Sequence, residues 1–551
     1  MLCSAALGGE VKLMKMLAAS IHRLTDVEKY HILILTCLYD RYRICAYLLE
    51  LFPFLLARKI PLLDKHLLHI IVESGSIECF KVVVNLVTRD CQSDGDKQLS
   101  LKSLIDGNGS TILHGAFRSF NRNMIMYLLM EHPSLLTQKD ESGYHGLSLM
   151  SLYCKEGHLT EKDIEGVVKR ICHDDMIESL IDEDGSTILH WACHYVNEEL
   201  CVKLSSTCPS LLLLSNDRGH HCLHMIASSG NIECFKSAVA LVLEENEREQ
   251  YITSLVNKAG KTVLHLACHS GQLDMCLYLI REYPALMSKK DHHGLHCLHC
   301  IAHYGNSEIF KSIASLVLEG KSKPEKKNFM KNLQTKTGGT VLHFACLDSK
   351  TDLCLYLIRE YPQLLNQKDN KGHHCLHMIA HYGKVECFKA IAGIVLKGKS
   401  KTDMKQFMET LTVKTKLKTL LHHAAFTGKT EMCLYLIREY PKLFSQTNES
   451  GDHSLHYIAV SGNVECFKTI APTVLKDKTK TECELFMEKL TNTDKETVLH
   501  HACRDGQTEM CSYLIKQYPK LMLQTDRYGN HCRHLTAQLN PPCSYVSIPD
   551  K

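Results

Sequence analysis

The chain has 551 residues, of which 45% are apolar and 23% charged, and its 64 Lys and Arg nearly balance its 61 Asp and Glu. This composition excludes a disordered chain and gives no electrostatic reason to expect nucleic acid as a partner. The 27 cysteines lie in apolar segments that predict helices, so we expect small buried thiols in a reducing compartment, the cytoplasm. No stretch approaches the roughly 18 apolar residues that predict a membrane-spanning helix.

Two short sequence motifs alternate along most of the chain. The first, "TILHGAF" at Thr111, recurs at intervals of 75 to 79 residues, starting at Thr187, Thr262, Thr340, Thr419 and Thr497. The second, "HCLHMIA" at His221, recurs in variants that start at His66, His296, His374, His453 and His531. Because the two motifs alternate, the repeating unit is a doublet that contains one copy of each.

Each half of the doublet predicts a helix pair, as the segment from 260 to 294 illustrates. Thr262 is an N-cap residue, and Gly271 ends the first helix. Apolar residues between 273 and 280 recur at helical spacing, which predicts a second helix. That helix should end at Tyr283-Pro284, because proline disfavours helical geometry in the residue before it. The "DHHG" of 291–294 then predicts a turn with glycine at positive φ.

The longer half of the doublet contains an insertion after its second helix. Its clearest copies start near Lys321, Lys399 and Lys478, and each contains a Phe-Met pair. We predict a third short helix, held against the core by Phe329, Phe407 and Phe486. The alternative interpretation is that these phenylalanine rings form a binding site for a partner.

These residues resemble the ankyrin repeat. Gly260, Thr262, Leu264-His265, Ala267 and Gly271 match the family pattern G-x-T-P-L-H-x-A-A-x-x-G, except that valine replaces the proline and cysteine the second alanine. Tyr-Pro replaces the glycine that ends the second helix in the family, and the fifth unit, "GLSLMSLYCKEGHL", is degenerate. The resemblance covers roughly 1–537 and implies an all-α repeat solenoid of stacked helix pairs with short hairpin loops.

The repeat pattern divides the chain into four parts. We expect N-terminal ankyrin-like repeats with a cap at 1–108, a doublet with a degenerate second unit at 109–184, regular doublets at 185–537 and a tail at 538–551.

The stretch "GHHCLHMIAHYGKVECFK", 372–389, contains four histidines and two cysteines and suggests a metal site. In the ankyrin family, however, the histidine of the L-H pair is structural and bonds across the loops of adjacent units. Nine histidines of this chain occupy that position: His190, His224, His265, His299, His343, His377, His422, His456 and His500. His374, His377 and His381 have no evident fourth ligand or orienting carboxylate, so we predict no metal.

The stretch "GIVLKGKS", 393–400, satisfies the phosphate-loop pattern, but it begins inside a predicted helix instead of following a strand. We therefore predict no nucleotide or other cofactor. No catalytic constellation stands out in the sequence, and we predict a non-enzyme.

The resemblance implies a protein-protein interaction scaffold or adaptor that binds partners on the concave face of the solenoid. In the family, the exposed variable positions are the hairpin tips and the two residues after the A-A pair. Here those positions give the candidate partner-binding residues His194, Tyr195, His269, His292, His293, His303, Tyr304, Lys371, His381, Tyr382, Arg504, Arg527 and Tyr528. The alternatives are a solvated polar face, the cytoplasmic ankyrin portion of a membrane protein or channel, and a substrate adaptor for a modifying enzyme.

Charge is uneven along the chain. Between 396 and 419, seven lysines stand against two acidic residues, whereas the segment 243–258 has a net charge of −2. We expect a monomer that touches a membrane only through a partner or through the basic loops of 321–418. The lysines of those loops would steer an acidic protein segment or a phosphoinositide-rich surface toward the concave face. The alternative is that they only keep the loops solvated.

Overall fold

The computed structural model describes residues 6, 11–16, 18–57, 64–89, 91, 93, 100–154, 160–173, 181–195, 197–242, 244–414 and 416–536. The tail at 538–551 lies outside these residues. Within them, every helix is too short or too polar to cross a bilayer. The chain divides into two compact units, Met1–Leu286 and Met287–Lys551.

The first unit consists of helix pairs. It begins with Val11–Met16 and Ala18–His22. Its first helices are Asp26–Leu38, Leu67–Ser74, Ile112–Arg118, Gly146–Cys154, Ile188–His194, Cys222–Ser229 and Val263–His269. Its second helices are Tyr42–Leu51, Ile77–Val87, Arg122–Glu131, Glu161–His173, Glu198–Thr207, Ile232–Val242 and Leu273–Glu282, and Arg248–Ser254 is a third helix. Short helices follow four second helices at Phe54–Ala57, Pro133–Thr137, Pro209–Leu213 and Pro284–Ser288.

The second unit repeats this plan. Its first helices are Cys297–Tyr304, Val341–Leu347, Cys375–Tyr382, Leu420–Phe426, Ser454–Ser461, Val498–Arg504 and Cys532–Thr536. Its second helices are Ser307–Val317, Thr351–Glu360, Val385–Val395, Thr430–Glu439, Val464–Val474 and Thr508–Gln517. Third helices are Lys323–Asn332, Lys401–Thr410 and Lys480–Lys489, and short helices are Pro362–Leu364, Lys442–Ser445 and Pro519–Leu523. The predicted all-α repeat solenoid is thus confirmed, including the third helix.

The predicted signals fix the ends of the helices. Thr419 caps its helix, since its hydroxyl oxygen accepts the backbone N–H of His422 while His422 Nδ1 accepts the N–H of Thr419 at 3.1 Å. This is a capping box in which histidine replaces the usual glutamate. At the other end, Tyr283 leaves the helical region with φ −131°, and Pro284 starts a 3-10 turn. The degenerate fifth unit still forms a helix pair, Gly146–Cys154 and Glu161–His173.

Successive hairpins are joined through their backbones. In the turn at 369–372, the Asp369 carboxylate accepts the His373 N–H at 2.7 Å, and Gly372 has φ +90°. The Lys371 carbonyl then accepts the N–H of Lys414 on the next hairpin at 2.9 Å. A Cβ on Gly372 would lie 2.7 Å from that same nitrogen, so glycine is required for both its φ and the close approach.

The third helices contact the core through methionine instead of phenylalanine. Met330, Met408 and Met487 are fully buried, whereas the phenylalanines before them are only half-buried. Phe329, Phe407 and Phe486 lie edge-on to the rings of His296, His374 and His453, with centroids 6.1 to 6.5 Å apart. The prediction that phenylalanine anchors this helix is therefore wrong. The flexible thioether reaches the core, and the rigid ring packs at its edge.

Candidate partner-binding surface

Most of the nine L-H histidines bond to the neighbouring unit, as the resemblance implied, whereas the buried His456 Nε2 has no hydrogen-bond partner among the described residues. His343 Nδ1 accepts the Thr340 hydroxyl at 2.8 Å, and its Nε2 lies 3.0 Å from the carbonyl oxygen of His373 in the next hairpin. A carbonyl only accepts, so Nε2 carries the proton and Nδ1 is the acceptor. An Nε2 bond of 2.8 to 3.2 Å to a hairpin carbonyl is also made by His190, His224, His422 and His500. His299 and His377 bond instead to the carbonyls of Leu333 and Leu411, at the ends of third helices, at 3.2 Å.

His377 is accordingly a structural residue and has no nitrogen left for a metal. Its Nδ1 accepts the backbone N–H of His374 at 3.1 Å, and its Nε2 donates to the Leu411 carbonyl at 3.2 Å. Burial holds the pKa of His377 well below its usual range, so the ring is neutral. In the phosphate-loop-like stretch, Gly393 lies inside Val385–Val395, and Ser400 caps the following helix by accepting the Asp403 N–H.

In the second unit, the predicted residues after the A-A position lie beside exposed aromatic rings. The rings of His381 and Tyr382 are 4.2 Å apart, and His381 stacks on Phe426 at 5.7 Å with an interplanar angle of 18°. Tyr382 is 51% exposed and Phe426 44% exposed. We call Tyr382, Phe426 and the side chains against them the aromatic surface.

Lys418 lies over this aromatic surface. Its Nζ is 5.6 Å from the centroid of Phe426 and 4.6 Å from that of Tyr457, which are cation–π distances. Burial, followed by the charge of Lys416, lowers the pKa of Lys418. The surface therefore combines exposed aromatic rings with a cation that is partly removed from water.

The equivalent residues of the preceding repeat are arranged similarly. The rings of His303 and Tyr304 are 4.1 Å apart, and His303 lies 6.3 Å from Phe344. Tyr304 is 46% exposed, while His303 Nε2 lies 3.8 Å from an Asp348 carboxylate oxygen. The Lys350 ammonium donates to the His303 carbonyl, which fixes the end of this helix.

The first unit has an aromatic cluster of its own. Tyr195 stacks on Trp191 at 5.9 Å, and His194 lies edge-on to both rings. Trp191 Nε1 donates to Asp182 at 2.8 Å, so the cluster is tied to its hairpin. His269, the next predicted residue along the chain, is exposed at the end of Val263–His269.

Five of the predicted residues lie on hairpin tips. His292, His293, Lys371, Arg527 and Tyr528 are all exposed. The Arg527 guanidinium is already engaged, since it forms an ion pair with Asp494 at 2.7 Å and lies 4.6 Å from the Tyr528 ring centroid.

Arg504 belongs to a network that the sequence did not indicate. It pairs with both oxygens of Glu496 at 2.8 and 3.1 Å. His501 lies between Glu496 and Asp452, with its Nε2 3.4 Å from an oxygen of each. Asn492 joins the two carboxylates through hydrogen bonds of 2.9 Å. The carboxylates outweigh burial and raise the pKa of His501, and hydrogen bonds from His501 and Asn492 lower that of Glu496 to about 2.

A second group of histidines was also missed. The ring of His423 lies 5.3 Å from His373 and 5.7 Å from His381. Burial, together with the charge of His373, lowers the pKa of His423 to about 3. The only sequence signal was the doubled histidine of "LLHHAA", which gives no indication of the partners.

Family models match the middle of the chain and a short segment near its end. The model for ankyrin repeats in three copies matches residues 200–291, 223–323 and 298–403. The model for the single ankyrin repeat matches residues 494–521.

Three relatives illustrate the range of similar proteins. The Nuclear factor NF-kappa-B p105 subunit of Gallus gallus is 26% identical over 238 residues, which are 42% of this chain and 22% of that protein. The Probable 26S proteasome regulatory subunit p28 of Saccharomyces cerevisiae is 28% identical over 193 residues, or 35% of this chain and 77% of that protein. A Transient receptor potential cation channel subfamily A member 1 homolog of Caenorhabditis elegans is 30% identical over 131 residues, 24% of this chain and 10% of that protein. The chain thus spans less than a quarter of the p105 subunit.

Proposed function

Because this chain is an ankyrin-repeat protein, we propose that it is a non-catalytic scaffold or adaptor whose partner binds to the exposed side of the first helices. The observation that carries the proposal is the aromatic surface, where Tyr382 and Phe426 are 51% and 44% exposed beside Lys418. Tyrosine and other aromatic side chains are enriched at the energetic centres of interfaces. The similarity to p105 and p28, both named as subunits, supports a protein partner.

The charge near this surface favours an acidic partner segment. Lys371, Lys414 and Lys416 are exposed on the hairpins beside Lys418. Lys397, Lys399, Lys401 and Lys405 are exposed at the adjoining third helix. Of the two acidic residues in that helix, Asp403 is exposed and Glu409 is buried. A carboxylate-bearing segment would gain both steering and contact here.

The test of the proposal compares two sets of variants in the full-length chain. Tyr382→Ala with Phe426→Ala should weaken capture of the partner at least tenfold, since truncated interface anchors typically cost more than about 1 kcal/mol each. Leu485→Ala is the matched control, because Leu485 is 47% exposed but lies on a third helix. Capture is quantified by mass spectrometry. Equal capture by the wild type, the double variant and the Leu485→Ala control would exclude the aromatic surface as the binding site.

The charge hypothesis has a separate test. Replacing Lys397, Lys399, Lys401 and Lys405 by Gln should slow association and flatten its dependence on salt while leaving the helical signal unchanged. If association is indifferent to both salt and these substitutions, the lysines serve solubility and do not steer a partner.

The second candidate function is the ankyrin portion of a membrane protein, which the similarity to the channel homolog favours. A longer transcript that encodes membrane-spanning segments in the same reading frame would support this function. A substrate adaptor for a modifying enzyme is the third alternative, and capture of that enzyme together with a substrate would distinguish it.

We also propose that the protein works in the cytoplasm. The Sγ atoms of Cys346 and Cys354 lie 3.7 Å apart as free thiols, a state that a reducing compartment maintains, whereas Cys208 is disulfide-bonded. Localisation of the tagged full-length chain by microscopy tests this assignment.

A further inference from the structure

Three thiols converge near the start of the chain. Cys37 lies on Asp26–Leu38, Cys45 on Tyr42–Leu51 and Cys79 on Ile77–Val87. Their sulfur atoms all lie within 4.8 Å of one another, and those of Cys37 and Cys45 are 3.8 Å apart. All three residues are fully buried. We call them the three-thiol cluster.

The pair within this cluster is a recurring feature of the repeat. Thiols eight residues apart also meet at Cys193 and Cys201, 3.6 Å apart, and at Cys346 and Cys354, 3.7 Å apart. A pair alone therefore reflects packing between the two helices of a repeat. Among the described residues, the cluster at Cys37 is the one in which three sulfur, nitrogen or carboxylate ligand atoms approach one another this closely.

The spacing of the three sulfurs suits a metal ion. With metal–sulfur bonds of about 2.3 Å, sulfurs of one ion lie roughly 3.8 Å apart in a tetrahedral site and roughly 4.0 Å apart in a planar three-coordinate site. The observed 3.8 Å between Cys37 and Cys45 already meets this requirement. Cys79 needs a movement of less than about 1 Å to reach the same spacing.

Hydrogen bonds among the three thiols favour thiolate at Cys79 alone, and together with burial they raise the pKa of Cys37 and Cys45. Hydrogen bonds from Cys37 and then Cys45 lower the pKa of Cys79, with further contributions from Ser76 and Asp40. The Cys79 backbone N–H donates to Ser76 Oγ at 3.3 Å, and the Ser76 hydroxyl donates to the exposed Asp40 carboxylate.

We propose that Cys37, Cys45 and Cys79 form a three-coordinate site for monovalent copper. Soft thiolate ligands select Cu(I), whereas zinc in a structural site requires four ligands and this cluster provides three. Binding converts three thiols to thiolates and releases their three protons, and no electron is transferred. The ion would link the first repeat to the second through Cys79, so binding would also stabilise these repeats.

The test uses the full-length chain without oxygen and supplies Cu(I) as its coloured complex with bicinchoninate. The wild type should withdraw one equivalent of Cu(I) at a competitor concentration that strips two-thiol sites. Cys79→Ala should weaken that retention at least a hundredfold, whereas Cys234→Ala, the equivalent residue of a later doublet, should leave it unchanged. One equivalent of Cu(I) should raise the Tm of the wild type and of Cys234→Ala but not that of Cys79→Ala.

A second variant and a measurement of helical content complete the test. Cys45→Ala should reproduce the loss seen with Cys79→Ala, and far-UV circular dichroism should show that both variants retain the helical content of the wild type. Undiminished retention of Cu(I) by either variant, when folded, would overturn the site. Tighter retention of Zn(II) than of Cu(I) through Cys79 would overturn the assignment to copper.

Discussion

Acid should unfold the second unit because its buried histidines must remain neutral. Burial lowers the pKa of His422, His453 and His456 to about 4. In the unfolded chain the same groups bind protons near the ordinary value of about 6.5. Between these two values the unfolded state binds more protons, so stability falls as the pH falls from about 7 to about 4.

The size of the effect follows from the two pKa values. At pH 5 each of these histidines favours the unfolded state by about 2 kcal/mol relative to neutral pH, so the three together contribute about 6 kcal/mol. The carboxylates do not contribute in this range, because Glu496 loses its stabilising charge only below the usual pKa of glutamate. His501 has a raised pKa and acts in the opposite direction, since its stabilisation is greatest at low pH.

Urea denaturation followed by circular dichroism at pH 7.5 and pH 5.0 measures this loss. His422→Gln should lower stability at pH 7.5, because it removes the bonds to Thr419 and to the Asp452 carbonyl. It should also reduce the difference between the two pH values by about 2 kcal/mol. His292→Gln, at an exposed hairpin tip, is the control and should leave that difference unchanged. Equal denaturation midpoints at the two pH values would refute the reasoning.

Three smaller predictions concern single side chains. Met408→Ala should cost about 2 to 5 kcal/mol in thermal or urea unfolding, and Phe407→Ala clearly less, because only Met408 is fully buried. Gly372→Ala should destabilise more than Gly398→Ala: both have positive φ, but a Cβ on Gly398 would meet no atom within 4 Å. An NMR titration of His501 should give a pKa above 6.5, and a lower value would contradict the ion pairs with Asp452 and Glu496.

Local signals made the helices predictable. Thr262, Gly271 and Tyr283-Pro284 each determine a helix end through their own backbone or side-chain chemistry, and repetition showed where the next set would lie. The role of the L-H histidines came from the family resemblance, and the bonds of His343 agree with it.

Contacts between repeats were not predictable in the same way. Phe407 and Met408 are adjacent and both apolar, so only the direction of the helix decides which one reaches the core. His501 and Asp452 lie 49 residues apart in the sequence, and nothing local to either residue indicates the other. Whether thiols meet as a pair or as a cluster of three depends on differences in distance of about 1 Å. The cysteine that recurs in each motif does not encode such differences.

The most direct test of the proposed function is site-specific photo-crosslinking within the full-length chain. A photoreactive phenylalanine analogue at Tyr382 should crosslink the partner, and mass spectrometry should locate the crosslink in an acidic segment of that partner. The same analogue at Leu485, which is similarly exposed on a third helix, should give little crosslinked product. Efficient crosslinking from position 485 and none from position 382 would contradict a partner-binding role for the aromatic surface.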